Sequence, residues 1–224
     1  MSCGSRSVRG NGNVVTSNRD EGSFDAVSLA GPLNVYLLQG SEHSIRIEAE
    51  ENLLNYIITD VKDDVLRVKL PNGVRIRPKK PVQVYVTAPA FSKLLVAGSG
   101  SIKAERTLIA DGNLRLEITG SGDIRVPDVD APEVIVKVTG SGTVNVSGSS
   151  RTAEYRITGS GDIKAGGLKT EDTKVHITGG GDVWAFCSQQ LDAHITGSGD
   201  VHYAGEPLKV KKRIAGSGKL IETQ

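Results

Sequence analysis

The sequence has few aromatic residues, almost no net charge and no long apolar run. Aromatic side chains make up 4% of the 224 residues, and the charges nearly cancel at a formal +1. This balance argues against a nucleic-acid partner, which requires a basic face. No stretch approaches the roughly 18 apolar residues of a membrane span. Polar residues, rather than the apolar segment of a signal peptide, follow Met1. We therefore expect a soluble chain.

Cysteine is also scarce, because the chain contains only Cys3 and Cys187. Two cysteines are too few for a disulfide framework or a paired zinc site, so we expect free thiols. Residues 1–23 are rich in Gly, Ser, Asn, Arg and Asp, which predicts a flexible leader because little apolar surface offsets the chain entropy. Cys3 followed by Gly4 is what remains when a bacterial lipoprotein signal is cleaved before its cysteine. Cys3 is therefore either a lipidation site that anchors the chain to a membrane or an incidental cysteine.

Glycine, in contrast, is abundant at 27 residues, and much of it falls in one repeated motif. Gly-Ser-Gly or Gly-Gly-Gly recurs at intervals of 18 to 22 residues. The copies lie at 98–100, 120–122, 140–142, 159–161, 179–181, 197–199 and 216–218. Such a period is typical of a stacked repeat, in which each copy buries its apolar face only against its neighbours.

Aligning the copies on their first glycine separates inward from outward positions. The position two residues before that glycine is always aliphatic, and the position four residues after it is aliphatic in every copy. The first of these columns contains Val96, Ile118, Val138, Ile157, Ile177, Ile195 and Ile214. Because strand side chains alternate between faces, the intervening polar positions point outward. We predict an all-β solenoid of rungs of about 20 residues, each a strand, a glycine bend and a second strand.

The N-terminal half is less regular than the repeat. Residues 24–90 alternate apolar and polar positions in short runs broken by turn residues, which predicts strands. Glu50 to Ile57 interrupt the alternation and fit a single helical turn. We expect residues 24–224 to form one domain, with an irregular portion at 24–90 and a Gly-Ser-Gly repeat portion at 91–224.

A column of acidic residues follows the glycine triplets. Asp162, Asp182 and Asp200 occupy it in three consecutive rungs and would lie roughly 5 Å apart. Like charges at this spacing repel, so something must offset them. One hypothesis is a bound Ca²⁺, which prefers stacked carboxylates. The alternative is that the carboxylates accept hydrogen bonds from amides of the glycine bend. No other cofactor is expected.

Two further groups of outward residues are candidates for function. Trp184 and Phe186 point outward by alternation, with Lys164 and His202 on neighbouring rungs. An exposed aromatic pair among polar groups can stack on a sugar or a partner protein, although a loop or the tail could instead cover it. A second group is formed by two histidines that share one column in adjacent rungs. We interpret them as surface residues rather than metal ligands.

The last copy is rich in lysine and arginine. Lys212 even occupies an inward column. We interpret this rung as a charged end that prevents edge-to-edge pairing, with a nucleic-acid patch as the alternative.

The Thr-Gly-Ser-Gly-Asp-Ile repeat follows a module that reads Phe-Asp-Ala-Val at 24–27 and Gly-Pro-Leu-Asn-Val-Tyr-Leu-Leu-Gln-Gly at 31–40. Together they resemble the head GIN domain family of auto-transporter adhesins over about residues 24–222. The resemblance implies a right-handed parallel β-helix and a protein of the bacterial envelope, at the outer membrane, in the periplasm or on the cell surface. Members are often lipoproteins of Bacteroidetes-type bacteria. No catalytic residues come with the resemblance.

These observations favour a non-enzymatic, surface-tethered adhesin-like protein that presents a solenoid face to a glycan or protein partner. A homo-oligomer is compatible with the sequence. The first alternative is a carbohydrate-active β-helix enzyme of the polysaccharide lyase or pectinase type. Against it, the Asp column is spaced like a structural ladder, and no Gly-x-Ser-x-Gly elbow with partner residues is evident. The second alternative is a structural scaffold for assembly.

Overall fold

The computed structural model describes residues 6–223 and contains 67% strand and 3% helix. Stacked parallel strands form a β-solenoid of about six turns, which confirms the predicted fold class.

The irregular N-terminal portion contains nine strands and one short 3-10 helix. Its elements are β1 (Arg6–Arg9), β2 (Val14–Arg19), β3 (Ala26–Ala30), β4 (Asn34–Gln39), β5 (Ser44–Glu50), the 3-10 helix (Glu51–Tyr56), β6 (Ile58–Lys62), β7 (Val65–Lys69), β8 (Val74–Arg77) and β9 (Gln83–Ala88). The helix falls where the sequence predicts a helical turn.

The repeat portion consists of strands alone over its described residues. They are β10 (Lys93–Gly98), β11 (Ser101–Ala104), β12 (Leu108–Ile109), β13 (Asn113–Gly120), β14 (Asp123–Gly140), β15 (Thr143–Gly159), β16 (Asp162–Lys169), β17 (Asp172–Gly179), β18 (Val183–Phe186), β19 (Gln190–Gly197), β20 (Val201–Ala204), β21 (Lys209–Gly216) and β22 (Leu220–Glu222).

Two long stacks of strands form the main faces of the solenoid. Sheet 1, before the glycine bends, runs in the spatial order β6, β7, β3, β10, β13, β14, β15, β17, β19 and β21. Sheet 2, after the bends, runs in the order β2, β5, β9, β4, β11, β14, β15, β16, β18, β20 and β22. The long strands β14 and β15 turn corners and contribute to both sheets.

The glycine triplets form the bend between the two sheets, and glycine is required there for two reasons. The first glycine of each triplet has a positive φ, for example +128° at Gly197, which side chains other than that of glycine rarely adopt. The third glycine packs against the backbone of the preceding rung. A Cβ added to Gly181 would overlap the carbonyl oxygen of Gly161. Stacking of identical bends therefore requires glycine at this position.

The inward columns form one continuous core. The aliphatic residues two positions before each triplet are at most 2% exposed from Val96 to Ile195. The exception is the last rung, where Ile214 is 38% exposed and Lys212 is exposed. β21 pairs with β19 on one side, and no described strand pairs with its other side. The C-terminal end of the core is therefore open, and its role as a charged protective end stays a prediction.

The spatial order of the first rungs differs from their order in the sequence. β3 and β4 lie between β7 and β9 on one side and β10 and β11 on the other. β3 and β4 thus come first in the sequence but lie inside the stack. β7 and β9 pair with them on the N-terminal side, and β10 and β11 pair with them on the side where the repeat continues. The antiparallel strands β2, β5 and β6 close the N-terminal end.

The expectation of a flexible leader over residues 1–23 is wrong for residues 6–19. β1 pairs with β8 and β2 pairs with β5, so this segment is held by backbone hydrogen bonds rather than by apolar burial. The buried Glu50 carboxylate adds side-chain anchoring, because it accepts hydrogen bonds from the amides of Gly12 and Lys79. Cys3 lies outside the described residues.

Candidate binding face

The outward residues of sheet 2 form an in-register column, which we call the sheet 2 column. Parallel pairing places one residue of each rung beside its equivalent in the next, about 4.8 Å away. We define the column from β5 to β20, where it contains Arg46, Tyr85, Tyr36, Lys103, Arg125, Asn145, Lys164, Trp184 and His202. Each of these residues is exposed or half-buried. The column thus offers two aromatic groups separated by basic and amide side chains.

Trp184 points outward, with Lys164 and His202 on the neighbouring rungs as the sequence predicts. Its ring stacks on that of His202, with centroids 5.2 Å apart and planes 6° from parallel. The Lys164 ammonium lies over the ring, 5.9 Å from the centroid. These two neighbours come from opposite rungs, so both faces of the indole are covered. A sugar cannot stack on Trp184 without displacing one of them, and the ring presents its edge to solvent.

Phe186 lies beside Trp184 on the same face of β18 and is also half-buried. The Lys169 ammonium lies 3.8 Å from its ring centroid, a contact that the sequence analysis missed. On the following rung, Gly205 approaches the ring so closely that a Cβ there would collide with it. The candidate face around Trp184 therefore comprises four side chains and the additional cation. We call this group, Lys164, Lys169, Trp184, Phe186 and His202, the Trp184 face.

A second aromatic group lies at the N-terminal end of the same column. Tyr36 and Tyr85 stack with centroids 5.3 Å apart, and the Arg46 guanidinium lies 4.3 Å from the Tyr85 centroid. Burial raises the pKa of Tyr85, and the nearby Glu48 carboxylate acts in the same direction. The pair borders a surface pocket of about 590 Å³. Sequence reasoning missed this pair because β4 and β9 are distant in the chain and become neighbours only through the inserted rung.

The Asp column forms a ladder of side-chain to backbone hydrogen bonds. Oδ1 of Asp162 accepts from the Asp182 amide at 3.3 Å, and Oδ1 of Asp182 accepts from the Asp200 amide at 2.7 Å. Asp200 accepts from the Lys219 amide in the same way, at 2.7 Å. Each carboxylate thus binds the next rung, as in the hydrogen-bonding alternative, although the amides belong to the residues after the triplet. The calcium hypothesis stays a prediction, and residues 6–223 contain no group of three or more His, Cys, Asp or Glu that could hold a metal.

The two column histidines lie on sheet 1 and face away from the sheet 2 column. His176 and His194 stack with centroids 5.0 Å apart, and both are half-buried. Burial lowers the pKa of His176, and the charges of Arg156 and His194 lower it further. The two histidines thus form a ring stack on sheet 1 in the same two rungs that carry the Trp184–His202 stack on sheet 2.

Fold and surface together define a β-solenoid protein with an outward-facing aromatic and basic column. Residues 23–207 match the family described as "putative auto-transporter adhesin, head GIN domain", and the chain belongs to this family. The resemblance expected from the sequence is thereby confirmed. Family membership indicates an adhesin-like protein of the cell surface or envelope and suggests a non-enzyme. No curated protein matches the chain significantly in sequence.

Several solved structures share the fold at low sequence identity. A "putative adhesin" from Bacteroides fragilis superposes with a TM-score of 0.91 at 23% identity, covering 96% of this chain and 100% of that one. A "putative lipid binding protein" from Parabacteroides distasonis has a TM-score of 0.79 at 24% identity, covering 98% and 100%. A "putative adhesin" from the same organism has a TM-score of 0.76 at 22% identity, covering 97% and 100%. These likenesses show the fold.

In the described part of the chain, no helix has the length and apolar character needed to span a membrane.

Proposed function

We propose that the chain is a non-enzymatic adhesin-like protein of the bacterial envelope that binds a glycan or protein partner through sheet 2. Family membership and the adhesin names of its structural neighbours support the adhesin-like class. The partner meets the Trp184 face and the adjoining part of the sheet 2 column. The protein is tethered at the surface through its N-terminal segment, with a lipid on Cys3 as the anchor.

The composition of the sheet 2 column is the observation that carries this proposal. Every member can donate a hydrogen bond, and none is a carboxylate. In the neighbouring Asp column, Asp162, Asp182 and Asp200 each use Oδ1 to accept a hydrogen bond from a backbone amide of the next rung. An extended row of donors, with ring edges between them, suits an acceptor-rich partner surface such as sugar oxygens or backbone carbonyls. Lys164, Lys169 and the indole N–H of Trp184 supply the donors at the centre of the binding face.

A non-enzymatic role is supported by the same ladder. Polysaccharide-cleaving β-helix enzymes need clustered acidic groups in a groove, whereas Asp162, Asp182 and Asp200 form a ladder in which one oxygen of each carboxylate binds backbone. Incubating the protein with acidic polysaccharides, with Asp162→Asn as the comparison, tests this part of the proposal. Turnover that depends on Asp162 would replace the adhesin-like function by an enzymatic one.

The binding function is tested on arrays of envelope glycans and surface proteins. The wild-type chain is compared with Trp184→Ala and with a matched control, His194→Ala, which removes a ring from the equivalent stack on sheet 1. We expect Trp184→Ala to lose about tenfold or more in affinity for the partner, as for an anchor residue at an interface, and His194→Ala to bind like the wild type. Equal binding by all three proteins would contradict the proposed face.

The tether is tested at the DNA level and on cells. The native coding sequence upstream of Met1 should encode an apolar run ending in a lipobox at Cys3, and Cys3→Ala should release the protein from the membrane fraction. A native start at Met1, with no such run, would remove the lipid anchor from the proposal.

A further inference from the structure

We propose that the pocket beside Tyr36 and Tyr85 binds an uncharged oligosaccharide. The proposal deepens and rests on the proposed function, since it names a class of ligand for a second site on the same sheet. The site lies five strands from Trp184, about 24 Å at roughly 4.8 Å per strand. The two sites can therefore be tested separately.

Four segments of the chain, residues 18–20, 36–46, 85–87 and 105, build this pocket. The end of β2 contributes Asn18, Asp20 follows directly after β2, and the start of β5 contributes Ser44. β4 supplies Tyr36 and β9 supplies Tyr85, which stacks on it. Glu105, which follows β11, also lines the pocket. With a volume of about 590 Å³, the pocket falls in the range of small-ligand sites.

Five polar side chains of the pocket are free to bind a ligand. Within residues 6–223, the side chains of five lining residues make no hydrogen bond to the protein. They are Asn18, Asp20, Ser44, Thr87 and Glu105. This set mixes carboxylate acceptors with an amide and two hydroxyls that both donate and accept. Sugar hydroxyls also donate and accept, so they match such a mixture.

The charged groups of the pocket favour an uncharged ligand over an anionic one. Arg46 forms an ion pair with Glu48 at 2.6 Å and lies over the Tyr85 ring. Arg19 donates to the Ser17 hydroxyl at 3.3 Å. Arg46 is thus paired with a carboxylate, whereas the Asp20 and Glu105 carboxylates have no cationic partner within 4.0 Å in the described part of the chain. An anionic sugar would meet two unpaired negative charges.

Tyr36 supplies an apolar contact for a sugar ring at the border of the pocket. One face of Tyr85 is covered by Arg46 and the other by Tyr36. Tyr36 is the last ring of this stack, and Lys103 lies beside it in register on the next strand. The C–H groups of a pyranose in the pocket can therefore contact the ring edge of Tyr36.

The test uses neutral tetrasaccharides of glucose, galactose, mannose and N-acetylglucosamine as probes, followed by saturation-transfer NMR and titration calorimetry. We expect the wild-type chain to bind at least one of them. Tyr36→Ala and the double variant Asp20→Asn with Glu105→Gln should each weaken that binding about tenfold or more. Glu133→Gln, which neutralises a carboxylate on sheet 1, is the matched control and should bind normally.

The double variant replaces exposed side chains by isosteric ones, so it decides the question even if Tyr36→Ala fails to fold. Binding of no neutral probe, tighter binding of uronic-acid tetrasaccharides, or unchanged binding by the double variant would each overturn the proposal.

Failure of this proposal and failure of the proposed function give different results. If Trp184→Ala loses the partner while the double variant keeps all binding, the pocket proposal is wrong and the Trp184 face stands. If the double variant loses the tetrasaccharide while Trp184→Ala binds every ligand normally, the pocket stands and the Trp184 face is wrong.

Discussion

At the residue scale, Tyr155 is the unusual member of the solenoid core. It occupies an inward column otherwise filled in its neighbours by aliphatic residues, and its ring is completely buried. Its hydroxyl has no hydrogen-bond partner among residues 6–223, and burial raises the pKa of the phenol. A buried hydroxyl without a partner carries a desolvation penalty that the ring packing must exceed.

Replacing Tyr155 by phenylalanine removes this penalty and keeps the ring. We expect Tyr155→Phe to raise the free energy of unfolding by about 1 kcal/mol, measured by urea denaturation. Tyr155→Ala, which leaves a cavity, should lower it by about 3–5 kcal/mol. A clear loss of stability in Tyr155→Phe would show that the hydroxyl has a partner that stabilises the core.

Protonation of the Glu50 carboxylate determines how the N-terminal end responds to acid. Burial alone would raise its pKa, but hydrogen bonds from the amides of Lys79, Gly12 and Lys80 outweigh burial and leave the pKa below its usual 4.5. A lowered folded-state pKa means that the ionised carboxylate stabilises the fold above about pH 4.5. This contribution is lost as the pH falls through the folded-state value.

Glu50→Gln removes the ionisable group while keeping its shape. We expect a lower Tm than the wild type at pH 7, and a difference that shrinks as the pH is lowered from 4.5 towards 3, measured by calorimetry. A difference that stays constant over this range would mean that the charge of Glu50 does not stabilise the fold.

At the scale of elements, the glycine bend offers a matched pair of substitutions. A Cβ on Gly181 would overlap the backbone of the preceding rung, whereas a Cβ on its neighbour Gly180 would meet nothing within 4 Å. We expect Gly181→Ala to lower the Tm by several degrees, corresponding to a loss on the order of 1–3 kcal/mol. Gly180→Ala should be neutral, and all six other copies carry serine at this position. Equal effects of the two substitutions would contradict the close stacking of the bends.

The elements also show how far the sequence predicts the structure. The inward columns and the glycine bends follow from a constant period, because each rung repeats the environment of the one before. The insertion of β3 and β4 between later strands has no local signature, since it depends on which distant strands pair. The Tyr36–Tyr85 stack and the pocket beside it could therefore not be predicted. Trp184 and its neighbours could be placed, because register within the repeat is fixed by the bends, but the covering of its faces depends on side-chain conformations.

At the scale of the whole molecule, the two ends of the solenoid differ. The N-terminal end is closed by antiparallel strands, whereas β21 is exposed along its full length at the C-terminal end. Fewer buried contacts mean easier local opening. We expect backbone amides of β21 and β22 to exchange with deuterium about a hundredfold or more faster than those of β15 and β17. Equal protection throughout would show that something covers the C-terminal end in solution.

The central claim is that sheet 2, rather than net charge or the solenoid as a whole, binds the partner. The most direct measurement is the Kd of the partner for three proteins: the wild type, Lys164→Glu on sheet 2 and Lys174→Glu on sheet 1. The two variants have the same net charge, and both lysines are exposed. We expect Lys164→Glu to raise the Kd about tenfold or more, with Lys174→Glu close to the wild type. Equal effects of the two reversals, or none from Lys164→Glu, would contradict the account.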